Sequence, residues 1–328
     1  MQIHRRFAAL PGEARGASLA LGNFDGVHIG HRAVIAAAGE AARRLGAPLG
    51  VLTFEPHPRE VLAPERAPAR LTTFARKVEL MEALGVEQLF VLPFDRRLMN
   101  QAPEAFAREI LADLLGIKAA AAGHDFCFGH RRAGDMAQLS ALGRQLGFAV
   151  QSVHGVELDG QLASSTLIRK LLLAGDLDGA NALLGADFCT GGIVVHGDAR
   201  GRELGYPTAN IQAVGRKTLL PQNGIYAVRA GVQWPDGLVW YDGVCSLGTR
   251  PTFDGHDRRL EVNILDGHYD LYGLRMKVEF VARLRGEEYF ADIDALIRQM
   301  AQDCGNARAA LAAAPPSRGT GKGRIIAG

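Results

Sequence analysis

Two histidines separated by an Ile-Gly pair, His28 and His31, stand in the run GNFDGVHIGH (Gly22–His31), between a short apolar stretch and a helical one. Imidazoles in the first turn of a helix can donate hydrogen bonds to phosphate oxygens, where the free backbone N–H groups already favour an anion. Two such donors around one phosphate suit a reaction in which charge grows on the α-phosphate and on departing pyrophosphate. Gly30 would let a nucleotide approach the backbone closely. The competing reading is a structural turn carrying two surface histidines. His57, in TFEPHP, follows a second apolar run. SSTLIR, from Ser164 to Arg169, sets three hydroxyls and a cation at the mouth of a helix, a grip suited to the β- and γ-phosphates of a nucleotide. An N-cap cluster would explain the same residues.

A second set lies in the other half. GDARGRELGYPTANI holds Gly197, Gly201, Gly205 and Pro207 in an irregular loop, followed by Thr208 and Asn210 two positions apart. In an extended segment these two face the same side. Neutral oxygen donors beside nucleotide phosphates suit Mg²⁺, which keeps several waters and needs few protein ligands. A turn with an Asx cap is the alternative. Glu261, in RLEVNIL, shares a strand face with Arg259 and Asn263. Facing inward it would be a lone buried carboxylate and a candidate general base; facing solvent it would be an ordinary surface charge.

The elements that must position these residues change character near mid-chain. Apolar runs at Ser18–Leu21, Leu49–Phe54, Gln88–Pro93, Ala119–Ala122 and Phe148–Val153 alternate with helical stretches at Arg32–Leu45, Lys77–Leu84, Pro103–Leu115 and Ala137–Leu146. That β-α rhythm predicts a parallel sheet covered on both faces, with its chemistry in the loops after the strands. Two short helical pieces, Ser165–Leu173 and Asp176–Leu184, read as a cap or connector. From Thr190 onward period-two runs separated by PQNG, WPDG and FDGH predict an antiparallel barrel or sandwich, closed by a helix from Asp292 to Met300 or on to Leu311. The domains are expected at 1–186 and 187–312, with a disordered tail at 313–328.

Length and composition fit that division. At about 150 residues per domain, 328 residues suggest two. Lys+Arg 37 against Asp+Glu 35 leaves a net charge of +2, without the basic excess of a nucleic-acid binder. Anionic ligands must be held locally, and the 40 glycines suit phosphate-facing turns. No apolar stretch approaches membrane length and no signal peptide is read. The four cysteines are far apart without a CxxC, which suggests neither a zinc site nor a disulfide framework; a reduced, cytoplasmic protein is expected.

GNFDGVHIGH, TFEPHPREVL, GHDFCFGHRRAGD and ASSTLIR, in that order, resemble the adenylyltransferase half of the bacterial bifunctional riboflavin kinase/FAD synthetases, a Rossmann-like HxGH nucleotidylyltransferase fold. GDARGRELGYPTANI, PQNGIYAV, GVCSLGTRPTF, LEVNILD, DLYG and VEFVARLRGEEYF resemble the riboflavin kinase module, a small antiparallel barrel plus helix. The resemblance implies ATP-dependent phosphorylation of riboflavin to FMN, then adenylylation of FMN to FAD and pyrophosphate. It implies that His28 and His31 stabilise the transition state, with Gly22, Asn23 and Phe24 near the phosphates. Ser164, Ser165, Thr166 and Arg169 would hold the ATP phosphates, and His57, Pro58, Asp125, Phe126 and Phe128 would border the flavin. In the barrel, Thr208 and Asn210 would serve Mg²⁺-ATP, Glu261 would activate the ribityl 5′-hydroxyl, and Gly197, Arg200 and Gly205 would form a flap.

The chain departs from the family pattern at Ala163 (usually Ile), Ala186 (usually Arg), Ser246 (usually Asn) and Asn263 (frequently His). Riboflavin, FMN and ATP are the expected partners, with Mg²⁺ as cofactor, no nucleic acid and no membrane; an oligomer is allowed but not expected. Two rivals remain at this point. One is a cytidylyl- or pantetheine-type nucleotidylyltransferase with an unrelated β-domain, and the other is a flavin- or nucleotide-binding module without catalysis.

Overall fold

Leu19, Ala20 and Leu21 are all buried, yet they serve two different cores: Leu19 and Leu21 join one apolar cluster and Ala20 the other. Val51 and Leu52, Leu89 and Phe90, and Ala120 and Ala121 divide in the same way. This is the two-residue period of strands covered on both faces.

The computed structural model describes residues 1–5, 7, 10–197, 201, 204–213, 218–252 and 255–314. They fall into two compact units, Met1–Ala69 with Phe74–Ser164, and Arg70–Thr73 with the described residues from Ser165 onward.

The first unit is built on a six-stranded, all-parallel sheet: β1 (Gln2–His4), β2 (Ser18–Leu21), β3 (Leu49–Glu55), β4 (Gln88–Pro93), β5 (Ala119–Gly123) and β6 (Ala149–Val153). Their spatial order is β1-β4-β3-β2-β5-β6. Helices α1 (Ile29–Leu45) and α3 (Phe74–Ala83) supply Val34, Ile35 and Met81 to one core; α6 (Met136–Leu146) supplies Leu139 and Leu142 to the other. Between β2 and β3 lies α1, and short helices α2 (Pro58–Leu62) and α4 (Arg96–Met99) follow β3 and β4. Ala121 shares a cluster with Ala37 and Ala38, so small residues on both sides bring α1 close to the sheet. The helix expected at Pro103–Leu115 begins as α5 (Pro103–Ala105) and continues as a π-helical segment, Phe106–Leu114. Its wide turns show in the bond from Leu115 N–H to the Ile110 carbonyl, five residues back. Edge strand β1 and a small hairpin, β7 (Glu157–Leu158) with β8 (Gln161–Leu162), are too short to leave a periodic trace in the sequence.

The second unit opens with α7 (Ser165–Ala174) and α8 (Leu177–Leu184). The sequence reading groups these with the first half; by contacts they count with the second. Strands β9 (Phe188–Val195), β10 (Ala209–Ala213), β11 (Gly224–Trp234), β12 (Gly237–Thr252), β13 (Gly255–Ile264) and β14 (Arg275–Arg285) close into an antiparallel barrel in the order β10-β13-β12-β11-β14-β9. Tyr226, Val228, Cys245, Leu247, Val278 and Phe280 are buried completely. Helix α9 (Ile293–Ala313) packs Ala307 and Leu311 against Ala227 and is held by a two-armed ion pair from Arg285 to Asp303 at 2.9 and 2.7 Å. It runs one residue into the expected tail; residues 315–328 lie outside the described residues. No helix among the described residues is long and apolar enough to cross a membrane.

Candidate active sites

In the first unit the chain leaves central β2 towards β3 and β4, then crosses back to β5 on the other side of β2. In such a sheet the loops after the two diverging strands leave a crevice at their carboxyl ends. GNFDGVHIGH follows β2 and GHDFCFGHRRAGD follows β5, so the topology brings these motifs to one place. His57 follows β3, the neighbour of β2.

His28 is the N-cap of α1. Its Nδ1 accepts the backbone N–H of His31 at 3.3 Å, and its carbonyl accepts the first helical bond from Arg32. Because the amide must donate, Nδ1 is the acceptor nitrogen and the proton of the neutral ring sits on Nε2. The two imidazoles stack with centroids 3.6 Å apart at 21°, and Phe24 meets His31 edge-on at 5.3 Å. A Cβ on Gly30 would lie 3.2 Å from the His28 ring and 3.6 Å from the Ala163 carbonyl oxygen, so glycine is what lets the ring, the turn and Ala163 meet.

The loop is strained and pinned. Phe24 and Val27 adopt φ of 52° and 44° while 1% and 0% exposed. For β-branched Val27 this is a true outlier, of the kind that persists only where the surroundings over-determine it. The pins are visible. Gly22 N–H donates to the Leu52 carbonyl, and the Asn23 carbonyl accepts both Lys77 Nζ at 2.8 Å and Thr53 Oγ1 at 3.2 Å. Two buried polar atoms face no protein partner here, Asn23 Oδ1 and His31 Nδ1. Such atoms cost free energy unless a ligand or water meets them, which suits a site awaiting a polar substrate.

Burial pushes the His28 pKa down from 6.5 to about 4, against a smaller upward pull from Asp25. His31 lies well below 6.5, first through burial, then through the neighbouring His28 and Lys77. Both rings are neutral donors in the free protein near pH 7.

The remaining expected residues divide. His57 caps α2, its ring accepting from Arg59 N–H at 3.1 Å, with Pro58 in the first turn. Asp125 is exposed just past β5. Phe128 belongs to the core, and half-buried Phe126 stacks on it at 5.9 Å and 13°. Phe24 likewise serves as core and as support for His31. The Ser164–Arg169 motif straddles the boundary of the units: Ser164 ends the first, while Ser165, Thr166 and Arg169 open α7 in the second. Arg169 donates to the Ser165 carbonyl at 3.1 Å.

In the second unit, Asn210, Glu261 and Ser246 lie directly opposite one another across β10, β13 and β12. Residues so paired share a face. Their strand neighbours Ala209, Ile211, Leu260, Val262, Cys245 and Leu247 are buried, so this row lies on the other face and is half-buried. Glu261 is therefore neither a lone interior carboxylate nor an idle surface charge. It accepts a hydrogen bond from Thr208 Oγ1 at 3.4 Å. Asn263 Nδ2 donates to the Pro207 carbonyl at 2.7 Å and anchors the segment that carries Thr208. Gly197 packs on the Asn210 side chain and Gly205 turns the preceding loop at φ 84°. Arg200 lies outside the described residues.

The donor set suits Mg²⁺: a threonine hydroxyl and an asparagine amide beside a carboxylate, all hard oxygen ligands. Among the described residues no group of three or more His, Cys, Asp or Glu could hold a metal by itself. A cation here would lean on substrate phosphates and water.

Sequence reasoning missed Lys77 and Thr53 entirely. Thr53 sits in an apolar strand and Lys77 in a helix with an ordinary charged face.

Comparison with known proteins gives a match in each half of the chain. The FAD synthetase family model matches residues 10–167 and the riboflavin kinase model residues 184–311. The bifunctional riboflavin kinase/FMN adenylyltransferase of Pseudomonas fluorescens is 42% identical over 95% of this chain and 98% of its own. The Escherichia coli K12 protein of the same name is 39% identical over 88% and 90%, and that of Bacillus subtilis 37% over 87% and 89%. A crystal structure described as a macrolide-efflux protein from Streptococcus pneumoniae matches at a TM-score of 0.80 and 32% identity, covering 89% of this chain and 94% of that one. Matched in both halves by the two family models and along most of its length by whole relatives, the chain belongs to the bifunctional riboflavin kinase/FMN adenylyltransferase family.

Proposed function

We propose that the α/β unit transfers AMP from ATP to the phosphate of FMN, giving FAD and pyrophosphate, and that the barrel unit transfers the γ-phosphoryl group of ATP to riboflavin, giving FMN. The stacked His28–His31 pair at the switch of the sheet carries the first assignment. In adenylyl transfer the FMN phosphate is already an ionised nucleophile, so no general base is required. What the reaction needs is donors fixed where charge grows. His28 Nε2–H, His31 and the N-terminus of α1 supply them. Ser164, Ser165, Thr166 and Arg169 hold the outer phosphates, while Phe126, Phe128, Asp125, His57 and Pro58 border the flavin.

The kinase step differs because its nucleophile is a hydroxyl. Glu261 takes the proton of the ribityl 5′-hydroxyl as that oxygen attacks the γ-phosphate. Thr208 donates its own proton to Glu261 and keeps lone pairs free for a cation. Mg²⁺ held by Thr208 and Asn210 with the ATP phosphates would neutralise charge during transfer. Gly197 and Gly205 border the nucleotide. The four free cysteines fit a reducing cytoplasm.

The test is chromatography of the purified chain supplied with riboflavin and Mg-ATP, which should show FMN and then FAD. Glu261→Ala should abolish FMN formation and leave FAD formation from added FMN intact. Loss of both activities in a folded variant would overturn this division of labour.

A further inference from the structure

Helix α3 buries only two residues, Lys77 and Met81, one turn apart. Position 77 therefore stands where the amphipathic pattern asks for an apolar side chain. A lysine 1% exposed is rare unless something compensates its charge. Its ammonium lies 2.8 Å from the Asn23 carbonyl oxygen and 3.9 Å from Glu55 Oε1. Thr53 Oγ1 donates to the same carbonyl, so two donors fill both lone pairs of that oxygen. Asn23 is where the chain leaves β2, and the next residue, Phe24, takes the strained φ of 52°. The residue that fixes this carbonyl fixes the start of the whole GNFDGVHIGH turn.

We infer that Lys77 is a positioning residue for adenylyl transfer: from beneath the loop it anchors the Asn23 carbonyl and sets a positive charge behind the His28–His31 pair. The inference rests on the assignment of that pair to adenylyl transfer. It explains why a cation occupies a core position, where a methionine would pack as well. In a site of low dielectric a fixed charge acts strongly on neighbours and on an incoming polyphosphate. The charged and titratable groups acting on His31 are His28 and Lys77, with Asp25 acting on His28 in turn. Lys77 helps to keep the imidazole of His31 neutral, so the ring enters the reaction as a hydrogen-bond donor rather than as an ion already paired.

The experiment compares Lys77→Met and Lys77→Gln in the full chain. Lys77→Met should lower kcat for FAD formation from FMN by about 10²-fold, the scale of a misplaced reacting group. Riboflavin phosphorylation in the same protein should not change. In the nucleotide-free chain, NMR titration of His31 should move to higher pH. Lys77→Gln keeps an N–H that can reach the Asn23 carbonyl, so it should recover part of the rate while keeping the displaced His31 titration. Wild-type FAD formation in Lys77→Met, or a lower rate with the His31 titration unmoved, would overturn the inference. If Lys77→Met fails to fold, Lys77→Gln decides by the same titration. A wild-type chain that makes no FAD from FMN would overturn the assignment of the histidine pair instead, and the titration would still judge Lys77.

Discussion

Replacing His28 by asparagine separates what this residue does for the fold from what it does for the reaction. Asparagine is among the best N-cap residues, so the cap of α1 survives to within a few tenths of a kcal/mol. The Nε2–H donor and the stack on His31 do not. Loss of one preorganised donor costs about 10²–10³ in rate, and FAD formation from FMN should fall by that factor. The pH dependence of stability should change as well. In the unfolded chain His28 titrates near 6.5, and burial holds it at about 4 in the fold. Between those values the unfolded state binds a proton that the folded state does not, so stability is complete above pH 6.5 and drains away as pH falls towards 4. At about 1.36 kcal/mol per pH unit the loss from this one group reaches roughly 3 kcal/mol. For a unit of this size that corresponds to about 6–12 °C in Tm. His28→Asn should match the wild type at pH 7 to within about 1 kcal/mol and lose less on acidification; the remaining slope includes His31, which burial also holds below 6.5. The assay is thermal unfolding by far-UV circular dichroism at several pH values. Both tryptophans and all six tyrosines lie beyond residue 200, so fluorescence follows the barrel unit separately. An unchanged acid slope in His28→Asn, or undiminished FAD formation, would refute the reasoning.

Val27→Gly should relieve a backbone conformation costing about 1–3 kcal/mol, but it also removes a completely buried side chain. The net effect on the melting of the first unit should be small, while FAD formation falls because the turn loosens; a stable variant with full activity would mean that the strain serves nothing. Asn263→Ala should weaken riboflavin phosphorylation about tenfold by freeing the Pro207 carbonyl, the scale of one hydrogen bond. Asn263→His should retain most of the rate because an imidazole N–H can make the same bond. Parallel kinase assays with FAD formation as the internal control check both.

Much of this was legible because the relevant signals are local. The helix entry after GNFDGV, the apolar runs of β2 to β5 and the period-two strands all arise within a few residues. Glu261 shows how far such a signal could be pushed. Its neighbours Leu260 and Val262 are apolar, and in a barrel with one covered face that alternation already turns Glu261 away from the core. Lys77 shows where the signal ends. In sequence it is an ordinary charge in an amphipathic helix, and its meaning comes from a carbonyl 54 residues away. The tautomer of His28 was equally out of reach, since it depends on one backbone N–H of the folded turn. Alternation alone does not tell a barrel from a sandwich, because both give the same pattern; the family resemblance supplied the barrel, whose closure depends on β9 pairing with both β10 and β14, contacts far apart in sequence.

The two sites handle phosphate differently, and the difference follows from their nucleophiles. An FMN phosphate arrives ionised, so the first site needs no base. It combines two imidazoles kept neutral by burial, a strained turn and a buried ammonium that fixes the turn from below. Protonated imidazoles would attract the nucleotide more strongly. They would also exert that attraction on the ground state, whereas only interactions that strengthen in the transition state raise kcat. A ribityl hydroxyl arrives protonated, so the proposed kinase site needs a carboxylate, and half-buried Glu261 is the one assigned to it. Both designs concentrate charge at a few fixed atoms. A net charge of only +2 is compatible with two ATP-dependent reactions when each site, as proposed, holds its nucleotide through a few fixed atoms rather than through the overall field.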